Sequence, residues 1–349
     1  MKWSKMITAI GAHAEGEIGR VITGGIAPVP GNDMRERLLW LNDHGDHIRK
    51  FALYEPRGAA QMSVNLLLPP THPGADIAFI PMQGDRSHAM SGSNAMCVVT
   101  SVLETGMFAM SEPETVIRLD TAAGLVTARA SCRDGKVTSV SLDFVESFAE
   151  HLDHPLRVEG IGELKVDVAF GGVYYVLADA AALGLEIVPA NARKLVDLGS
   201  RLVAAAKEQI SVQHPLVNEF NSIAFCMFTS VEDREWQVYR NATILPPGRV
   251  DRSPCGTGSA ARLSVMRARG AINLNQEVTM RSIIGSRFSV KVTQDRKIGH
   301  RKGIQPVISG RSWIYAVEQM GVDPSDPFQQ GFTLADTWGE GIEHILPTN

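Results

Sequence analysis

Two stretches of this 349-residue sequence repeat one another, and the repeat limits the folds open to the chain. Met90-Ser91-Gly92-Ser93-Asn94-Ala95-Met96 aligns with Pro254-Cys255-Gly256-Thr257-Gly258-Ser259-Ala260, so that Ser91 falls on Cys255, Gly92 on Gly256 and Ser93 on Thr257. Each stretch runs into an apolar pattern at helical spacing. Each pattern meets a stop glycine, Gly106 or Gly270, fifteen residues after Ser91 or Cys255. The likeness continues into Glu114-Thr115-Val116-Ile117-Arg118 and Glu277-Val278-Thr279-Met280-Arg281, both strand-like, and then through Gly124 or Gly285 into a further strand-like run. Asp-Arg-Ser precedes both motifs, at 85–87 and 251–253. A self-similarity of this length is the mark of two homologous halves.

From Ser91 onward the first helical pattern carries no charge until Glu104. A helix apolar nearly all round is buried on most sides. Strand-like segments surround it in sequence: Ile18–Thr23, Ala52–Tyr54, Ser63–Leu68, Ile77–Ile80 and Val116–Leu119. The second half offers Leu164–Phe170, Tyr174–Leu177, Ile223–Phe228 and Trp236–Ala242. The expected fold is α/β in the α+β sense. It has two pseudo-symmetric domains, each a mostly antiparallel sheet wrapped around a central helix, with helical stretches such as Asn191–Glu208 outside. The expected boundaries are 1–130 plus 320–349 for the half carrying Ser91, and 139–310 for the half carrying Cys255.

Length and composition fit this plan. A chain of this size suits two domains with real hydrophobic cores. Hydrophobic residues make up 44 %, charged residues 21 %, and the net charge is −4. That charge gives no electrostatic case for a nucleic-acid partner. No apolar run approaches the roughly 18 residues of a membrane span, and the first residues lack the apolar core of a signal peptide. The four cysteines, Cys97, Cys132, Cys226 and Cys255, form no CxxC pair. They read as reduced thiols in a cytoplasmic protein. The sequence leaves a homodimer open.

A helix start leaves N–H groups unpaired and carries partial positive charge. A carboxylate can sit there. A cysteine there can fall from a pKa of about 8.5 to roughly 3.5–7.5, which suits a general base. Pro254 before Cys255 and Gly256-Thr257-Gly258 after it favour that position over a core site. Cys97, Cys226 and Cys132 read as structural. Ser91 reads either as an N-cap serine or, by the repeat, as the functional counterpart of Cys255. With two such helix starts facing one ligand, Ser91 and Cys255 would stand on its opposite sides. Gly256 to Ala261 also fits GxGxxA, but it follows Arg252-Ser253-Pro254 rather than an apolar strand, with no βαβ unit around it. There is no Walker loop, no HExxH and no ligand spacing among the ten histidines. His44 and His47 read as solvated. No cofactor is expected.

At these residues the chain resembles the proline racemase family, over nearly its whole length. His13-Ala14-Glu15-Gly16-Glu17, Thr23-Gly24-Gly25, Glu55-Pro56-Arg57-Gly58, the run from Arg118 to Val126, Ala169-Phe170-Gly171-Gly172 and Asp251 to Gly258 match its motifs in order. The resemblance implies a fold like that of diaminopimelate epimerase. It also implies cofactor-independent chemistry on proline or hydroxyproline, with one residue on each face of Cα. The family's usual Met-Cys-Gly-His is here Met90-Ser91-Gly92-Ser93, and Ala59 stands where a histidine often follows Glu-Pro-Arg-Gly. The family's Ser/Cys members resemble trans-3-hydroxy-L-proline dehydratases with some epimerase activity. In that substrate the 3-hydroxyl shares a face with Cα–H, so a single residue could serve elimination. The expectation is therefore a lyase, a trans-3-hydroxy-L-proline dehydratase giving Δ1-pyrroline-2-carboxylate, with 4-hydroxyproline 2-epimerase as the alternative. A nicotinamide oxidoreductase and a non-catalytic imino-acid binder are the readings outside the family. By the resemblance, Ser91 faces the Cα–H of the L substrate and Cys255 the other face. Gly92, Ser93, Gly256 and Thr257 bind the carboxylate, and Asp251 the ring ammonium.

Overall fold

The computed structural model describes residues 5–218 and 220–338. Residues 1–4, Glu219 and 339–349 lie outside the described residues, and with them the start of the segment weighed as a signal peptide and the end of the expected N-terminal half-domain.

The chain forms two compact units, one of residues up to Leu142 together with those from Gly310 on, the other Asp143–Ser309. The first contains β1 (Lys5–Ala14), β2 (Glu17–Gly24), α1 (Met34–Asp43), α2 (Asp46–Leu53), β3 (Ser63–Leu68), β4 (Ile77–Met82), α3 (Gly92–Glu104), β5 (Glu114–Thr121), β6 (Gly124–Arg133) and β7 (Lys136–Asp143). The second contains β8 (Phe148–Val158), β9 (Gly162–Phe170), β10 (Tyr174–Asp179), α4 (Ala192–Gln209), β11 (Ile223–Asp233), β12 (Val238–Leu245), β13 (Arg249–Val250), α5 (Gly256–Ala268), β14 (Val278–Arg281), β15 (Arg287–Ile298) and β16 (Arg301–Gly310). The chain then returns to the first unit as β17 (Ser312–Val322).

The repeat extends to strand pairing. In the first unit the order is β17–β1–β2–β3–β4–β5–β6. The successive senses are antiparallel, antiparallel, parallel, antiparallel, parallel, antiparallel. In the second, β8–β9–β10–β11–β12–β14–β15 shows the same six senses in the same order. Each central helix is thirteen residues long. Gly106 and Gly270 follow the helices with φ of +73° and +69°, the left-handed step that ends a helix at little cost only for glycine. Each helix touches strands from both ends of its sheet's order, α3 against β17 and β6, α5 against β8 and β15, so the sheet curls around it.

Period-two alternation explains why the core strands read as continuous apolar runs. On β10, Tyr174 and Val176 join the cluster beneath α4, while Tyr175 and Leu177 join the one around α5. On β11, Cys226 and Phe228 face α4, and Phe225 and Met227 face α5. Strands covered on both faces need apolar residues on both. In the first unit α1 and α2 hold the place of α4: Val64, Leu66, Ala78 and Ile80 pack with Leu41, Ile48 and Phe51.

One local expectation fails. Ala52–Tyr54 is no strand; it closes α2, because Ile48, Phe51 and Ala52 bury one helical face and Arg49 is buried beside them. His44 and His47 are exposed. No helix among the described residues is long and apolar enough to cross a membrane.

Candidate active site

Cys255 is the N-cap of α5 and sits at φ +64°, ψ 116°, outside the regions a side-chain-bearing residue adopts freely. Such a conformation costs on the order of 1–3 kcal/mol and persists only where its surroundings enforce it. Here they do. Asp251 Oδ1 accepts from the Ser253 N–H at 2.8 Å and from its hydroxyl at 2.9 Å, and Ser253 Oγ accepts from the Cys255 N–H at 3.1 Å. Asn241 and Ser259 both donate to the Pro254 carbonyl. Buried Arg262 in turn donates to Asn241 Oδ1 at 2.6 Å and to the carbonyls of Arg240 and Ser230. The turn is thus tied to β11, β12 and α5.

The sulfur accepts the Gly258 N–H at 3.4 Å, as a cap does. The Tyr175 hydroxyl lies 3.4 Å from Sγ and 2.6 Å from Thr257 Oγ1. The thiol does not have the lowered pKa that a helix start alone suggested. Burial pushes it up to about 12, and the neighbouring Asp251 carboxylate adds to the rise. The bonds from Tyr175 and the Gly258 amide, and the nearby Thr243 hydroxyl, work the other way. Desolvation outweighs the helix start because Cys255 is only 5 % exposed. At neutral pH the free protein therefore holds Cys255 as a thiol, a proton donor at rest. Cys97 is likewise pushed up to about 12 by burial. An acid whose folded pKa exceeds its unfolded value contributes stability that is present below the unfolded pKa and lost as pH rises toward the folded one. The thermal midpoint is expected to be flat up to about pH 8 and to fall above about pH 9. Cys255→Ser should flatten that decline, and an unchanged slope in the variant would count against the buried thiol.

Ser91 occupies the same place on α3, but its backbone is ordinary extended chain (φ −151°, ψ 127°) and its hydroxyl does not cap the helix. Instead Asn94 Nδ2 donates to Ser91 Oγ at 2.9 Å. Asn94 Oδ1 accepts from Asn65 Nδ2 at 2.8 Å, which fixes which way the amide faces. Asn65 is the residue of β3 that points toward α3, between Val64 and Leu66, which point away. A methyl on Gly19 would lie 2.7 Å from Asn94 Oδ1 and 2.9 Å from Cys97 Sγ, so a larger residue on β2 here would displace the Asn94 amide.

Within the second unit, Asp251, Cys255, Gly256 and Thr257 come together around one turn; within the first, Ser91, Gly92 and Ser93 do so. Gly92, Ser93, Gly256 and Thr257 stand in first helical turns, where N–H groups have no carbonyl one turn back. Sequence reasoning missed Tyr175, Thr243, Asn65 and Asn94. Only Asn94 left a signal, three residues after Ser91 and so on its face of the helix. Sequence reasoning also denied α5 a βαβ setting, yet β12 and β14, which flank it in sequence, are parallel. Most pairings of that sheet are nonetheless antiparallel, unlike a dinucleotide fold. Among the described residues no group of three or more His, Cys, Asp or Glu is placed to hold a metal ion.

The sequence matches the proline racemase family over residues 9–333. A 4-hydroxyproline 2-epimerase of Allorhizobium ampelinum is 46 % identical over 347 residues, covering 99 % of both chains. The crystal structure of a hydroxyproline epimerase from Agrobacterium vitis, with trans-4-hydroxy-L-proline bound, superimposes with a TM-score of 0.92 at 45 % identity, over 98 % of this chain and 100 % of that one. A PhzF-family phenazine biosynthesis protein of Bacillus anthracis, 12 % identical with a TM-score of 0.57 over 91 % of this chain and all of that one, shares the fold. These relatives overturn the expected trans-3-hydroxy-L-proline dehydratase and its lyase class, since whole-length relatives are named as epimerases, which are isomerases. The expectation makes Ser91 a poor base alone, in need of the helix dipoles or a charged neighbour; its hydroxyl has an oriented amide donor instead, and the stereochemistry that lets one face suffice for elimination does nothing to disable the second. With motifs, pairing order and whole-length similarity in agreement, the chain belongs to the proline racemase family.

Proposed function

We propose that the protein is a 4-hydroxyproline 2-epimerase that interconverts trans-4-hydroxy-L-proline and cis-4-hydroxy-D-proline without a cofactor. The observation that carries this reading is the end-to-end similarity to proteins of that name and to one with trans-4-hydroxy-L-proline bound. Inversion at Cα requires one group to remove the proton from one face and another to supply a proton on the other. Ser91 and Cys255, heading corresponding helices, are the two groups, Ser91 on the face of the L isomer's Cα–H and Cys255 on that of the D isomer's. One of the pair starts deprotonated. As it takes the Cα proton, the C–H electron pair passes into an enolate-like carbanion conjugated with the carboxylate, and the other group gives its proton to the opposite face. The first-turn N–H groups of Gly92, Ser93, Gly256 and Thr257 bind the carboxylate and stabilise the developing charge. Asp251 partners the ring ammonium as well as ordering its turn. The four cysteines, all buried and free, suit a reducing, cytoplasmic setting.

Incubating the purified protein with trans-4-hydroxy-L-proline in D₂O should yield the cis-D epimer carrying deuterium at Cα. Planar pyrrole-2-carboxylate should compete, as a mimic of the flattened Cα. Absence of solvent deuterium at Cα from either epimer would end this reading.

A further inference from the structure

We propose that Tyr175, backed by Thr257, is a positioning residue whose hydroxyl follows the protonation state of Cys255, accepting from the thiol and donating to the thiolate. The inference rests on the reading of Cys255 as an acid–base group. It goes beyond that reading by assigning the device that makes both states of a buried sulfur tolerable.

The geometry is a triangle. Tyr175 Oη is 2.6 Å from Thr257 Oγ1 and 3.4 Å from Cys255 Sγ, and the third side, Sγ to Thr257 Oγ1, is 3.7 Å. Each corner carries one hydrogen and free lone pairs when Cys255 is a thiol. The S–H then donates to Tyr175, which donates to Thr257. When the sulfur loses its proton it can only accept. The two remaining hydrogens reverse their sense, Thr257 donating to Tyr175 and Tyr175 donating to sulfur. The switch needs two O–H rotations and no movement of a heavy atom. As the S–H bond forms at the expense of Cα–H, the rotations run backward.

The surroundings fit this task. Tyr175 is fully buried, and the period of β10 aims it at α5 while Tyr174 and Val176 face the other way. Burial, with Cys255 beside it, holds the phenol well above its ordinary range, so it stays a neutral donor rather than a competing acid. The groups acting on Sγ from the other elements are the Asp251 carboxylate from the turn, which opposes the thiolate, the Thr243 hydroxyl from β12, and the Gly258 N–H of α5 itself. Met227 of β11 and Leu177, Ala261 and Val265 close the rest with apolar surface. In that setting the Tyr175 hydroxyl is a main counterweight to Asp251.

The test measures Cys255 without substrate, by the rate of its alkylation by iodoacetamide at about pH 8, where the rate follows the small thiolate fraction, with the modified peptide identified by mass spectrometry. In Tyr175→Phe the rate should fall about ten- to a hundredfold, the worth of one hydrogen bond to a charged acceptor. At the same pH kcat/KM should fall in step in both directions of epimerisation, because the equilibrium constant ties the two kcat/KM values together. Placing 3-fluorotyrosine, a stronger donor, at position 175 should raise the alkylation rate, which keeps the idea testable if the phenylalanine variant fails to fold. A folded Tyr175→Phe protein with an unchanged alkylation rate, or fluorotyrosine with no increase, overturns the proposal. A slowed alkylation in a protein inert toward hydroxyproline would instead overturn the epimerase reading and leave this one standing.

Discussion

Cys255→Ala is expected to lower epimerase turnover by about 10²- to 10⁴-fold in both directions, the usual worth of a placed general acid–base group. The loss should be lopsided in one respect. With Ser91 intact, the L isomer should still exchange its Cα hydrogen with D₂O, because Ser91 can remove the proton and return deuterium to the same face. The D isomer should exchange far more slowly. Ser91→Ala should give the mirror result, with exchange of the D isomer by Cys255 and little of the L. Nuclear magnetic resonance of each isomer in D₂O reads both rates directly. If Cys255→Ala preferentially exchanged the D isomer, the faces would have to be swapped. If either variant kept full turnover, the two-residue mechanism would be wrong. The pairing also explains why a buried, protonated cysteine is no handicap. An epimerase needs one donor and one acceptor at any moment, and under the proposed roles the resting thiol would be the donor for the L-to-D direction.

The second large effect is expected from Gly171→Ala. A methyl at this position would lie 2.1 Å from the Thr257 carbonyl oxygen and 2.5 Å from the Ala261 amide nitrogen. Both are backbone atoms of α5, so no side-chain rotation relieves the clash. Overpacking a close-packed site costs about 1–3 kcal/mol, and this contact belongs at the upper end, about 3 kcal/mol. The helix must shift at its first turn, where Thr257 meets Tyr175, and activity should fall with stability. Gly270→Ala provides the contrast. A methyl there meets nothing within 4 Å, and the cost is that of a left-handed residue alone, about 1–2 kcal/mol. Epimerase activity should survive it. Denaturant unfolding and initial rates on both proteins distinguish the cases. Equal losses of activity would mean that the Gly171 contact has no bearing on the site.

Both glycines belong to what could be read in the sequence, though for different reasons. The stop at Gly270 is local chemistry, as are the helical spacing after Ser91 and Cys255 and the alternation of β5 and β6. Such features sit within one turn or one hairpin of the residues that reveal them. Gly171 stood out only as part of a family motif; its cause lies about 90 residues away, on α5. Tyr175 is similarly remote, 80 residues from the sulfur it touches. The misread Ala52–Tyr54 fell between these cases, since three apolar residues carry no period long enough to tell strand from helix. The charge state of Cys255 failed for another reason. A helix start is visible locally, but the burial that overrides it is contributed by β10, β11 and β12 together. The choice between elimination and inversion turned on one substituted base. Sequence could show that the residue had changed, but not that Asn94 and Asn65 stand behind it.

The return of β17 to the first unit sets an order of assembly. The pairings that join β8 through to β15 all lie within one unbroken segment. The first unit's sheet instead waits for Lys5 to meet Val322 and Ala14 to meet Ser312, near the two ends of the chain. A ribosome that has delivered the chain only as far as Ser309 has supplied all of the second unit and an unfinished first one, with one edge of β1 still bare. Bare edges are where sheets recruit the wrong partner. Closing this one last also makes the longest-range contact in the sheet the slowest to form. The part of the protein made first is thus the part finished last, and its vulnerable interval is the time taken to synthesise everything between.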